Sequence, residues 1–195
     1  KVLDRKKVIP EAQALNGVIK IAEVLSYAWN KHSLLHKDVK PGNIMINSKG
    51  DVFLVDLGIA QSFDFKKKDA DGHVFGSPFY MSPEPAQRLN LDWRSDLYSL
   101  GATFYHMTVG LPPYDAKTVP TIIDMHTSAP FPEPKTRNPS AKLSPDIVSL
   151  MKKMLAKKAE DRFGSWKEFI DSANAVNIVP KKAPKKKIVP NKPAA

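Results

Sequence analysis

The sequence contains no cysteine and no apolar run of about 18 residues, the shortest length that spans a bilayer as a helix. The absence of cysteine excludes a disulfide-stabilised scaffold and every thiolate metal site, and it fits a reducing compartment, so we expect a cytoplasmic location. The basic start KVLDRKK lacks the features of a signal peptide. A hydrophobic share of 42%, arranged in periodic segments, nevertheless predicts a globular chain with a real core.

Acidic residues are absent from the C-terminal segment, where much of the net charge of +10 lies. Residues 181–195 hold six of the 30 basic residues, which leaves 24 basic against 20 acidic side chains in the rest of the chain. The Lys/Pro-rich residues 179–195 predict an extended tail or linker, with contact to an anionic membrane as the less favoured alternative. No basic stripe with interleaved aromatic residues occurs, so we predict no nucleic-acid binding.

The first third of the chain predicts one helix and one small hairpin. Apolar residues recur at helical spacing between Pro10 and Asn30, typical of an amphipathic helix with one buried face. The short apolar segments NIMIN and VFLVD are joined by SKG, and this pattern indicates a β-hairpin. Residues 61–92 are rich in Lys, Asp, Pro and Gly and predict a long irregular loop, which is more often functional than structural.

The remaining two thirds predict further helices. SDLYSLGATFYHM at residues 95–107 is apolar nearly all round, as expected for a helix buried in the middle of a domain. Another helix is predicted from Ser144 through Leu155, and the capping box SWKE at residues 165–168 begins the last one. The expected fold class is therefore mainly α, with one small hairpin.

The segment HKDVKPGN at residues 36–43 carries the chemistry of a phosphate and metal site. Asp38 can accept a hydroxyl proton or orient that hydroxyl, and Lys40 can neutralise charge on a phosphate. Asn43 and Asp56 offer the hard oxygen ligands that Mg²⁺ prefers. Because these two residues flank the predicted hairpin, the hairpin itself could bring them together.

Three segments together resemble the motifs of a protein kinase. HKDVKPGN, DLG at residues 56–58 and GSPFYMSPE at residues 76–84 are similar to the catalytic loop, the metal-binding motif and the end of the activation segment. The resemblance is closest to the Ser/Thr type, in which Lys follows the catalytic Asp by two positions, and to bacterial members. SDLYSLG and EDRFGS are similar to two further family motifs, so five motifs occur in the family's order over residues 10–175.

The resemblance implies a protein-kinase-like large lobe over residues 1–178, of the α+β class by family but mostly helical here. It implies transfer of the ATP γ-phosphate to Ser or Thr of a protein substrate, with Mg²⁺. Asp38 and Lys40 would be catalytic. Lys40, Asn43 and Asp56 would bind the cofactor, and Asn43 and Asp56 would hold the metal.

The resemblance also implies supporting residues around this site. Ser77 would contact the catalytic carboxylate and shape the substrate pocket, and Glu84 would pair with Arg162. Asp96 would hold the backbone of the catalytic loop. His36 would pack and hydrogen-bond locally without a chemical role, and the other four histidines show no metal-ligand spacing.

The chain departs from the family pattern at three places. Lys37 replaces the usual Arg and could meet a phosphate only as a point charge. Leu57 replaces the usual Phe and, being apolar, is expected to fill the same packing role. Residues 63–76 contain no Ser or Thr, which makes activation by phosphorylation in the middle of this loop doubtful.

Other kinase elements are not found in the sequence. None of the nine glycines forms a GxG pair, so no glycine-rich cover for ATP phosphates is present, and Lys20 lies on the predicted first helix rather than on a strand. The chain also begins at Lys1 without an initiator Met. We therefore expect that the chain is an excised large lobe and that the N-terminal lobe, its partner, is missing. The large lobe is expected to be inactive alone. The alternative is a non-catalytic kinase-like scaffold.

Overall fold

The computed structural model describes residues 8–47, 49–57 and 78–177, and these form a mainly helical structure with one two-stranded sheet. This architecture confirms the expected fold class. Short 3₁₀ turns lie at Pro41–Asn43, Pro78–Tyr80 and Ala159–Asp161. The longer elements, in chain order, are α1 (Glu11–His32), β1 (Ile44–Ile46), β2 (Val52–Leu54), α2 (Pro83–Ala86), α3 (Trp93–Val109), α4 (Val119–Ser128), α5 (Pro134–Arg137), α6 (Pro145–Met154) and α7 (Trp166–Asn174).

Helix α1 follows the prediction, beginning after Pro10 and running two residues further than expected, to His32. It ends where Ser33 adopts a left-handed conformation with φ of 49°. One face is buried and packs against α3 and α7. Because strand β2 also packs on α1, this helix positions the hairpin relative to the helical core.

The hairpin confirms the predicted strands. β1 and β2 are antiparallel, and Ile44 lies opposite Leu54 while Met45 lies opposite Phe53. The turn is organised by Asn47, whose side-chain oxygen accepts from the backbone N–H groups two and four residues ahead. Ile44 is buried, but Met45 and Phe53 are 47% and 50% exposed, so one side of this sheet presents apolar surface to solvent.

Helix α3 lies at the centre of the core, as its apolar sequence predicted. It begins after Asp92, whose side chain accepts from the N–H of Arg94, and it ends at Gly110 in the left-handed conformation. Every residue of the helix except Arg94 and His106 is buried. Gly101 faces α6, because a Cβ built at this position would lie 2.8 Å from Cβ of Met154. The absence of a side chain therefore allows the two helices to approach closely.

Two predicted boundaries are confirmed, and some helices were not predicted. The helix expected through Leu155 ends at Met154, and α7 begins after Ser165, whose hydroxyl accepts from the N–H of Glu168. Helix α2 lies inside the segment expected to be an irregular loop, because Ser82 and two prolines favour a short helical turn there. Helices α4 and α5 were also missed. Within the described parts of the chain, no helix is both long and apolar enough to cross a membrane.

Candidate active site

The loop that precedes the hairpin is held by helix α3. Asp96 accepts two hydrogen bonds from the loop backbone, from the N–H of His36 at 2.7 Å and from that of Lys37 at 2.8 Å. About two helical turns further on, the Thr103 hydroxyl donates to the carbonyl oxygen of Val39 at 3.1 Å. The position of this loop is therefore set by side chains on one face of a buried helix.

Burial of Asp96 is compensated by these bonds. Burial raises the pKa of its carboxyl to about 6, while the N–H groups of His36 and Lys37 act in the opposite direction. Lys37 adopts a left-handed backbone with φ of 65°, which is unusual for a residue with a side chain. The turn thus aims two consecutive N–H groups at one carboxylate.

Asp38, Lys40 and Asn43 converge at the end of this loop. Lys40 Nζ lies 2.7 Å from Oδ2 of Asp38, and the Asn43 side-chain amide donates to the same oxygen at 2.9 Å. The amide also donates to the backbone carbonyl oxygen of Asp38 at 2.8 Å. These contacts fix the orientation of a largely buried carboxylate, and they leave Oδ1 as the Asn43 atom suited to a cation.

Asp56 lies next to this group through the hairpin. The N–H of Val55 donates to the carbonyl oxygen of Asn43 at 2.9 Å, so the residue that precedes Asp56 is bonded to the other predicted metal ligand. Asp56 is exposed and has a left-handed backbone with φ of 59°. A carboxylate and an amide oxygen are ligands of the kind that Mg²⁺ accepts, alongside phosphate oxygens and water.

His36 joins the loop to the second strand. It is buried, its Nδ1 accepts from the N–H of Asp38 at 3.3 Å, and its Nε2 lies 3.2 Å from the carbonyl oxygen of Val55. These partners select the neutral tautomer with hydrogen on Nε2. Burial lowers the pKa of His36, although the Val55 carbonyl and the Asp38 carboxylate oppose this shift. The imidazole makes only local contacts within the described residues.

Glu84 and Arg162 form a buried ion pair away from the loop. Arg162 Nη2 lies 2.6 Å from Glu84 Oε1, and the Ser95 hydroxyl donates to Oε2 at 3.3 Å. The guanidinium also donates to the carbonyl oxygens of Arg94 and Ala156, each at 2.9 Å. This set of acceptors compensates for the burial of the charge and attaches α2 to the C-terminal part of the core.

Some predicted features lie elsewhere or outside the described residues. Ser77, the loop residues 63–76 and the tail 179–195 are outside them. The expectation that Leu57 fills a packing role is wrong for the described residues, because its side chain is 52% exposed. Lys20 lies on α1, as expected, and its Nζ donates to a turn carbonyl.

Other residues of this region were missed from the sequence. Thr103 supports the loop that contains Asp38, and its spacing from Asp96 on one helix face is a signal that could have identified it. His126, which is buried, and Lys157, which is half-buried, lie beside the ion-pair region. No local pattern singles them out, because their partners lie on other elements.

Comparisons with known proteins agree with these motifs. A family model described as "Protein kinase domain" matches residues 1–173. A probable serine/threonine-protein kinase of Clostridium perfringens is 32% identical over 179 residues, covering 92% of this chain and 26% of that protein. The serine/threonine-protein kinase pkn3 of Myxococcus xanthus is 33% identical over 184 residues, covering 90% of this chain and 34% of that protein.

A solved structure is similar over most of the chain. The crystal structure of the Mycobacterium tuberculosis PknI kinase domain matches with a TM-score of 0.62 and 29% identity. The match covers 86% of this chain and 55% of that one. The chain thus spans between a quarter and a third of the length of the two curated relatives above and about half of the solved kinase domain.

Proposed function

The chain belongs to the protein kinase domain family, and we propose that it contributes the catalytic machinery of a protein kinase that phosphorylates Ser or Thr. The observation that carries this proposal is the convergence of Lys40 and Asn43 on one carboxylate oxygen of Asp38. The two curated relatives described above bear the names of serine/threonine-protein kinases, which supports the same activity.

Each side chain has a part in the proposed transfer. Asp38, held in one orientation, would accept a hydrogen bond from the substrate hydroxyl and align it with the γ-phosphate of ATP. Lys40 would stabilise negative charge on the transferring group, since its Nζ already lies beside that carboxylate. Asn43 and Asp56 would hold Mg²⁺, which neutralises charge on the phosphate oxygens when bound.

The exposed face of the hairpin suggests where the nucleotide and the rest of a kinase domain would lie. Met45 and Phe53 are about half exposed, and Val24 and Tyr27 on α1 are exposed as well. The hairpin and α1 pack together through β2, and exposed apolar side chains on such elements are typical of a surface that another group covers. We propose that the adenine base and an ATP-clamping N-terminal lobe, supplied by residues other than those of this chain, cover this face, so the chain is inactive alone.

The test compares phosphate transfer by the full gene product that carries this chain with transfer by its Asp38→Asn variant. We expect the wild type to label a general protein substrate with ATP and Mg²⁺, and the variant to lose about 100-fold or more in kcat. The matched control is Asp171→Asn, because Asp171 forms an exposed pair with Lys167 and should not affect the rate. Unchanged transfer in Asp38→Asn, or none in the wild type, contradicts the proposal and favours a scaffold.

A further inference from the structure

A cluster of buried and half-buried polar side chains lies between α3, α4 and the segment that follows α6. It consists of His126, Tyr98, Tyr114, Lys157 and Arg162 and is called the His126 cluster below. Rings of Tyr98 and Tyr114 both pack edge-on against the imidazole, with centroid distances of 5.6 and 4.9 Å. Arg162 lies over the Tyr98 ring. The cluster thus contains Arg162, the cation that pairs with Glu84.

The imidazole of His126 is neutral. Its side chain is completely buried, and Nδ1 lies 2.8 Å from the hydroxyl of Tyr98. Burial, together with the charge of Lys157, lowers the pKa of His126 to about 3. Burial also raises the pKa of Tyr98, so its hydroxyl remains a donor. With Nδ1 as the acceptor, the ring hydrogen is on Nε2.

The backbone of the 3₁₀ turn Pro78–Tyr80 lies close to the His126 ring. Helix α4 packs on this turn, and the backbone of Phe79 and Pro78 opposes the effect of burial on the His126 pKa, as nearby carbonyl oxygens do. Nε2 nevertheless makes no hydrogen bond of acceptable geometry within the described residues. We interpret this as close but poorly aligned contact, which a small rotation of the ring or shift of the turn would improve.

Lys157 holds the helix that carries this ring. Its Nζ donates to the carbonyl oxygens of Met125 at 3.0 Å and His126 at 2.8 Å, which lie in the last turn of α4, and to the Tyr114 hydroxyl at 2.9 Å. A cation at this position satisfies helix carbonyls and interacts favourably with the helix dipole. The carbonyl oxygen of Lys157 in turn accepts from Arg162.

The segment from Pro78 to Glu84 is therefore anchored at several points. Tyr80 OH lies 2.6 Å from Nδ1 of His106, and Glu84 pairs with Arg162. The third point is the 3₁₀ turn Pro78–Tyr80 itself, which packs against both α3 and α4.

We infer that His126 is a positioning residue for the segment from Pro78 to Glu84, with Lys157 fixing the helix that presents it. This inference rests on the proposed kinase function, in which the segment would receive the protein substrate. His126 is too deeply buried to touch that substrate. It acts through the backbone of the turn, so its loss weakens substrate binding and leaves the reaction at Asp38 unchanged.

The first test measures kcat and the KM values for protein substrate and ATP separately in the full gene product. In His126→Asn, an amide remains near Nδ1, but no atom occupies the place of Nε2. We expect the KM for a protein substrate to rise about 10-fold, with kcat and the KM for ATP unchanged. In His126→Gln, whose longer amide reaches the place of Nε2, most of the affinity should return. The control is Leu25→Ala, a buried α1 substitution that lowers stability without contacting the segment.

The second test, amide hydrogen exchange in the same proteins, does not depend on activity. His126→Asn should speed exchange in fragments that cover residues 78–88 and leave those covering residues 36–43 unchanged, and Leu25→Ala should not show this difference. Faster local exchange with no phosphate transfer in any protein, wild type included, would support the positioning role and overturn the kinase proposal. Unchanged exchange and KM, or equal acceleration in both fragments, would overturn the positioning role.

Discussion

Three titratable side chains connect the proposed catalytic loop and the segment from Pro78 to Glu84 to the core: Asp96 and His126, which are buried, and Lys157, which is half-buried. Burial raises the pKa of Asp96 to about 6 and lowers that of His126 to about 3. Burial, with the charge of Arg162, lowers the pKa of Lys157 to about 8. Asp96 has two backbone N–H donors and Lys157 has three oxygen acceptors, so local hydrogen bonds offset part of the cost of each buried charge.

The His126 pKa predicts acid sensitivity. Between pH 6.5 and about 3 the unfolded chain binds a proton at this residue and the folded chain does not, so the free energy of unfolding falls as the pH is lowered. The full loss is on the order of a few kcal/mol, at about 1.4 kcal/mol for each pKa unit. Urea unfolding from pH 4 to 7 should show a weaker pH dependence for His126→Asn than for the wild type.

Comparison of the wild type with His126→Asn isolates the contribution of His126 to the pH dependence of stability. Asp96 has the opposite effect on the free energy of unfolding. Its pKa is raised, so the folded state binds a proton more tightly than the unfolded chain between pH 3.8 and about 6, and this contribution to stability grows as the pH is lowered. Both proteins retain Asp96, so its contribution cancels when the stability curve of one protein is subtracted from that of the other. Parallel curves for wild type and His126→Asn would contradict the assignment of a neutral, buried imidazole.

At the scale of elements, α3 determines how the other helices are arranged. Its N-terminal half holds the proposed catalytic loop through Asp96, and Thr103 adds a second contact about two turns further along the same face. Gly101 lies opposite α6, with a calculated Cβ position 2.8 Å from Cβ of Met154 and 3.4 Å from Cγ of Leu155. The close approach of α3 and α6 therefore requires glycine at this position.

Gly101→Ala tests this packing. Alanine favours a helix by about 1 kcal/mol over glycine, but overpacking against a backbone-linked Cβ costs about 1–3 kcal/mol, so we expect net destabilisation. The matched control is Gly17→Ala on α1, where a Cβ would meet no atom within 4 Å, and where we expect stabilisation by about 0.5–1 kcal/mol. Thermal and urea unfolding would measure both. Equal stabilisation by the two substitutions would show that α3 and α6 can separate at no cost.

For the molecule as a whole, the Glu84–Arg162 pair joins distant parts of the chain. Glu84 lies on α2 and Arg162 just before α7, and both side chains are almost fully buried. The exposed pair Lys167–Asp171 has the same N–O distance of 2.6 Å. The two pairs should nevertheless differ in effect, because only the buried one leaves an uncompensated charge when a partner is removed.

Arg162→Met should lower the free energy of unfolding by about 3–5 kcal/mol, since it leaves the Glu84 carboxylate buried without its cation. The double variant Arg162→Met/Glu84→Gln should recover part of this loss, because the remaining group is neutral. Lys167→Met, the matched exposed control, should change stability by about 0.5 kcal/mol or less. If Arg162→Met were no more destabilising than Lys167→Met, the ion pair would not be a structural link.

The local elements and the order of the motifs were determined by the sequence alone. Hydrophobic periodicity identified α1 and α6, and a segment that is apolar nearly all round identified α3. The capping box SWKE identified α7, and two short apolar segments joined by SKG identified the hairpin. These signals are local, because burial of one helix face and satisfaction of terminal N–H groups depend on residues a few positions apart. The resemblance to kinases also followed from local segments in a fixed order.

Only the tertiary structure decided which polar atoms meet and which apolar ones remain uncovered. The direction of the Asn43 amide toward Asp38, the burial of His126 and the three acceptors of Lys157 depend on contacts between elements far apart in the chain. Leu57 is exposed for the same reason, since its spacing in the sequence does not reveal which surface lies opposite. Local patterns determine where helices and strands form, whereas long-range packing and desolvation determine the state of each buried charge.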